Sequence, residues 1–219
     1  MKTVSYIYNL YELSEYLSRS AYDHEYKLFI FEGFDGVGKS STIKSLTNFK
    51  YGIRDKSNRT YKLDVFDFDW SNTEPDPNLR YKHGPMLVRT LKTLDYPYDT
   101  SGSVNRIGLV DRWLFSSLVY DKFYNNFKLE TEINESLNYS FSLKANFKIC
   151  PILVEAEKGD LKELFKKSQS RKDNESYDEF DDFEEYYDFY LQFTEEYREV
   201  LRKYSEIYKF DYIIYKNKL

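Results

Sequence analysis

The sequence has one cysteine, Cys150, set in an apolar stretch. No disulfide framework can form within such a chain, which points to a reducing compartment. Cys150 itself reads as a small buried hydrophobe. No run approaches the ~18 apolar residues of a membrane span. The N-terminal residues include Lys2 but no apolar signal-peptide core. The expectation is a cytoplasmic protein with no membrane association. Basic charge is also short: 32 Lys and Arg against 37 Asp and Glu give a net charge of −5. Proteins that grip duplex DNA usually present a basic surface, because phosphate contacts supply most of the affinity. The balance therefore argues against a polymeric nucleic-acid substrate.

Glycine (8 residues) and proline (5) are sparse, so their clusters act as punctuation. Hydrophobic residues make up 41% and charged residues 32% of 219 positions, enough for one substantial core in a single domain spanning 1–219. The 23 tyrosines read as a composition bias.

Apolar runs at 28–31, 107–110, 152–154 and 212–215, and the alternating 62–68, predict five strands. Helical spacing appears at 9–20, 39–49, 79–94, 113–126, 159–168 and 177–208. Asn9 and Glu12 have capping-box spacing, so residues 1–26 read as an added N-terminal helix. Pro75 and Pro77 make 71–78 a loop, and the polar stretch 168–177 reads as a lid loop. Residues 130–146 show no clear pattern. Alternating strands and helices argue for an α/β fold of three layers, with a mainly parallel five-stranded sheet covered on both faces. Ligands of such sheets sit at the carboxyl ends of the strands.

Gly33-Phe34-Asp35-Gly36-Val37-Gly38-Lys39-Ser40 fits G-x-x-x-x-G-K-[ST] between a predicted strand and a predicted helix. Its glycines permit a tight loop whose amides point at phosphate oxygens, and the helix adds its positive end. Lys39 is expected to reach the β- and γ-phosphates, and Ser40 to ligate Mg²⁺. The cofactor-binding set is Gly33, Gly36, Val37, Gly38, Lys39, Ser40 and Ser41, with ATP and Mg²⁺ as the cofactors. This makes the fold a P-loop NTPase fold. The one Asn-Lys pair, Asn217-Lys218, is followed by Leu219 and is not a guanine-specificity motif.

Two stretches resemble the thymidylate kinase family. Phe31 to Thr42 is similar to F-E-G-x-D-G-x-G-K-S-T. Val110 to Tyr120 is similar to D-R-[YFW]-x-x-S-x-x-A-Y-Q, with Val119 for Ala and Asp121 for Gln. Pro151 to Glu157 is a weaker third match, like the strand before that family's lid. The resemblance implies a kinase that moves the ATP γ-phosphate to a (deoxy)nucleoside monophosphate. It implies that Asp35 reaches the acceptor's sugar or its metal shell. Arg112 then binds the acceptor phosphate, and Asp111 lies near Mg²⁺. Related kinases are often dimers, so a homodimer is admitted.

Alternatives stay open on particular residues. Asp111 and Arg112 also read as a surface ion pair. Glu32 reads either as a base toward a hydroxyl or as a strand-end residue that hydrogen-bonds nearby backbone. Arg171 or Lys172 reads as a lid residue swinging onto the transferred phosphoryl group, or as solvated charge. The family's Arg-Glu-Pro signature near the second strand is missing here. Arg89 lacks the family's aromatic partner, leaving Phe68, Trp70 and Tyr81 as candidate base contacts. A nucleoside or modified-base hydroxyl as acceptor, and a nucleotide-binding protein with little turnover, are the competing functions.

Overall fold

The computed structural model describes residues 4–22, 26–48, 53–54, 60–67, 106–125, 129–142, 148–170 and 180–218. The strands are β1 (Ser5–Ile7), β2 (Tyr26–Glu32), β3 (Ile53–Arg54), β4 (Thr60–Asp67), β5 (Arg106–Asp111), β6 (Lys148–Ala156) and β7 (Ile213–Asn217). The helices are α1 (Leu10–Tyr22), α2 (Lys39–Thr47), α3 (Leu114–Asn125), α4 (Glu130–Ser142), α5 (Leu161–Ser170) and α6 (Phe183–Tyr208). The loop at 71–78, the helix at 79–94 and residues 171–177 of the lid lie outside the described residues.

The sheet order is β1-β7-β6-β2-β5-β4-β3. The five predicted strands are its centre and run parallel. A short strand lies at each edge: β1 parallel to β7 and β3 antiparallel to β4. From β2 the chain builds β4 and β5 on one side, then crosses to build β6 and β7 on the other. The direction switches beside β2, so a ligand crevice is expected at the carboxyl ends of β2 and β5. Register puts Phe31 level with Asp111 on one side and Ile152 on the other. Leu28 to Phe31 are fully buried, as a strand with both faces covered requires.

The helix ends follow local chemistry. Asn9 Oδ1 accepts from Glu12 N at 2.9 Å as a capping box requires, while the Glu12 side chain accepts from Tyr8 N at 3.2 Å, one residue before the N-cap amide of the expected box. The N-terminal segment adds strand β1 to that helix, because Ser5–Ile7 completes the edge of β7. Asp182 caps α6 through Glu185 N at 2.9 Å, so this helix starts at Phe183 and not at 177. Its buried face carries Tyr186, Tyr190, Phe193, Tyr197, Leu201 and Tyr204.

Helix α4 forms where the sequence showed no clear pattern. Its buried apolar residues are Ile133, Leu137 and Phe141. Hydrogen bonds from Tyr204 to Asn134 and from Tyr208 to Asn138 tie it to α6. Helix α5 continues to Ser170, into the start of the predicted lid loop. There Gln169 donates to Phe180 O at 2.9 Å. No helix among the described residues is long and apolar enough to cross a membrane.

Candidate functional site

The turn after β2 is fastened from outside. Gly33 adopts φ 139°, and a Cβ there would stand 2.4 Å from Val154 O of β6. Only glycine fits a loop packed this closely on a strand. Phe34 points away from the crevice into Tyr186, Phe189, Tyr190 and Phe193 of α6, with ring centroids 5.3 to 6.0 Å away. Gly38 is the N-cap of α2, in the left-handed region. Thr42 Oγ1 and Thr42 N both donate to Gly38 O at 2.8 Å.

Lys39 opens α2 and folds back over the loop. Its Nζ donates to Gly33 O at 3.1 Å and Phe34 O at 2.8 Å. Burial lowers its pKa to about 8, with the charge on Arg112 adding to the effect and Asp35, Asp111 and Glu32 opposing it. An ammonium held this way is a strong point charge with little solvent screening.

At the end of β5 the chain turns through Arg112 at φ 64°, and Arg112 N donates to Phe31 O at 3.0 Å. This turn sends Asp111 and Arg112 to the same crevice. Ser40 Oγ donates to Asp111 Oδ2. Asp111 Oδ1 is buried with no hydrogen-bond partner among the described residues. Mg²⁺ prefers hard oxygens and usually takes one or two protein ligands, completing its shell with phosphate and water. A serine hydroxyl touching a carboxylate with one buried oxygen unsatisfied fits that demand. No group of three or more His, Cys, Asp or Glu suited to a metal occurs among the described residues.

The Arg112 guanidinium pairs with Asp35 of the loop. It also donates to Tyr120 OH at 2.9 Å and Tyr197 OH at 3.4 Å. Tyr120 OH in turn donates to Asp35 Oδ2 at 2.7 Å. The Arg112 side chain is only 14% exposed, so it is not half of an exposed pair with Asp111. Burial opposes its charge, but Tyr120, Asp35, Tyr197 and Asp111 outweigh burial and keep it protonated.

Beneath this layer Glu32 is fully buried. It accepts from Trp113 N at 3.1 Å and from Ser116 Oγ, and Ser116 Oγ lies 2.9 Å from Tyr197 OH. Burial raises its carboxyl to about 8, against the pull of Ser116, Arg112 and Lys39. Its geometry is that of a strand-end residue joining β2 to the start of α3.

The structure thus brings together Glu32, Asp35, Lys39, Ser40, Asp111 and Arg112 at the carboxyl ends of β2 and β5, with Ser41 in the first turn of α2. Arg171 and Lys172, and the candidate base contacts Phe68, Trp70, Tyr81 and Arg89, lie outside the described residues. Sequence reasoning missed the contacts of Ser116, Tyr120 and Tyr197. Tyr197 lies on the apolar stripe of α6, and nothing in its spacing marks a hydroxyl aimed at the site.

No protein-family model matches the chain, and no curated protein matches it in sequence. Solved structures do resemble it. Thymidylate kinase from Ehrlichia chaffeensis is 12% identical with a TM-score of 0.44, covering 86% of each chain. Polyphosphate kinase 2 from Arthrobacter aurescens TC1 is 16% identical with a TM-score of 0.48, over 94% of this chain and 67% of the other. Thymidylate kinase from Candida albicans is 13% identical with a TM-score of 0.40, over 85% and 82%. These are likenesses of the folded chain, and activity has to be argued from the site residues.

Proposed function

We propose that this protein is an ATP-dependent phosphotransferase whose acceptor is a (deoxy)nucleoside monophosphate. The observation that carries this reading is the double link between the phosphate loop and the end of β5. Ser40 meets Asp111, and Asp35 meets Arg112. One link belongs to the donor side and the other to the acceptor side, and both lie on one loop. Phosphoryl transfer needs positioning and charge neutralisation more than covalent help.

The loop amides and Lys39 hold the donor phosphates. Ser40 and Asp111 would hold Mg²⁺, which when bound neutralises charge on the β- and γ-oxygens. Arg112 offers a planar, permanently charged fork for the acceptor phosphate. Tyr120 and Tyr197 fix its plane. Asp35 occupies part of that fork and reaches toward the acceptor's sugar. Arg171 or Lys172 would supply further positive charge from the lid segment.

Burial and engagement of Glu32 favour an anionic acceptor over a hydroxyl. Both its oxygens already accept hydrogen bonds, and burial pushes its carboxyl up toward the protonated form, which cannot take a proton. A coupled assay with Mg²⁺–ATP against monophosphates, nucleosides and an oligonucleotide tests the proposal. Turnover with at least one monophosphate is expected. Turnover confined to nucleosides, or none with any monophosphate, would overturn it. Glu32→Gln should lower that turnover only mildly, whereas a hydroxyl acceptor would make the loss severe.

A further inference from the structure

Peptides that turn N–H groups into a phosphate nest turn their carbonyls outward, and a buried outward carbonyl needs a donor. Val37 is fully buried. Its carbonyl accepts from Asn217 Nδ2 at 2.9 Å, across 180 residues of sequence. Asn217 is itself 9% exposed and closes β7. Its backbone carbonyl accepts from Glu157 N at 3.3 Å, at the root of the segment leading into α5. The side chain therefore comes from a position on β7 that is anchored to the end of β6.

The consequence follows from peptide planarity. In a trans peptide the C=O and the next N–H point in opposite directions. Holding the Val37 carbonyl outward aims the Gly38 N–H inward, and that amide stands immediately before Lys39. We propose that Asn217 is a positioning residue for the donor. By fixing the Val37–Gly38 peptide, it sets the affinity of the loop for polyphosphate without touching the ligand. The inference rests on the reading of Gly33–Ser40 as a triphosphate grip.

Asn217→Asp is nearly isosteric and replaces the donor with an acceptor facing another acceptor. Asn217→Ala removes the group. Calorimetry on the full chain with Mg²⁺–ATP, Mg²⁺–ADP and inorganic tripolyphosphate reads the effect, at a temperature where melting curves show each variant folded. Both variants should weaken all three ligands by about ten-fold or more. Measured relative to the wild-type protein, Asn217→Asp should regain affinity as the pH falls and its carboxyl becomes a donor, while Asn217→Ala should not. A purely structural role would lower melting temperatures without this pH-dependent recovery.

Affinities within two-fold of the wild-type protein would overturn the proposal. So would a loss confined to ATP and ADP, which would make Asn217 a nucleobase contact. Failure of the unmodified chain to bind tripolyphosphate would overturn the triphosphate reading itself, and the proposal with it.

Discussion

Replacing Glu32 with glutamine separates the cost of a buried charge from the hydrogen bonds around it. The carboxyl has an ordinary value of 4.5 and is raised to about 8, chiefly by burial. Between those values the folded state keeps a proton that the unfolded state has released, so stability falls as pH rises. At about 1.4 kcal/mol per pH unit, the rise corresponds to about 5 kcal/mol. That contribution is fully present below pH 4.5 and lost as pH passes through about 8. Lys39 acts in the opposite sense at higher pH. Its value is lowered from 10.5 to about 8 by burial and by Arg112, so its charge costs stability below that range and the cost is relieved as pH climbs through it. Glutamine keeps the shape and accepts from Trp113 N but cannot ionise. Urea unfolding of both proteins between about pH 5 and about pH 8 gives a difference in which other groups cancel. The variant should gain several kcal/mol relative to the parent across that interval. A difference constant to within about 1 kcal/mol would refute the account of a protonated buried carboxyl.

Gly33→Ala forces a Cβ to 2.4 Å from Val154 O at φ 139°, against a strand fixed between β2 and β7. It should cost about 3–5 kcal/mol in denaturant unfolding and abolish nucleotide binding. Gly36→Ala meets only Leu164 Cδ2 at 3.5 Å and should cost about 1 kcal/mol, so equal losses from the two would sink the packing argument. Lys39→Ala should reduce initial rates by about 10³ or more while the melting temperature shifts by only a few degrees; retained turnover would contradict the proposed site. Asp111→Asn should raise the Mg²⁺ concentration for half-maximal rate by about ten-fold, and superimposable Mg²⁺ titrations would remove Asp111 from the metal's surroundings.

Much of the scaffold was legible because its signals are local. A four-residue apolar run before a glycine loop reads as a buried strand, and Asn9 with Glu12 reads as a helix start. The G-x-x-x-x-G-K-[ST] pattern is spelled in consecutive residues, so the turn between β2 and α2, with Lys39 at the helix start, could be placed directly. The partners that hold it could not. Arg112 depends on Tyr197, 85 residues later, and Val37 on Asn217. Such contacts are set by sheet order and helix packing, which leave no periodic trace. The edge strands escaped notice because three residues in β1 and two in β3 are too few to show alternation. Helix α4 was obscured because Ile133, Leu137 and Phe141 are a thin apolar stripe among polar residues, and its hold on α6 combines the stacking of Phe141 on Tyr208 with tyrosine–asparagine hydrogen bonds.

The bond from Asn217 to Val37 also has a bearing on how the chain is made. The loop is synthesised early and this fastening late, so the Val37 carbonyl lacks its Asn217 donor until β7 docks beside β6. Contacts of such sequence separation form slowly, after the local elements are in place. If Asn217 positions the loop as proposed, a chain released before β7 would carry the motif with its Val37 carbonyl unfastened and would hold polyphosphate more weakly.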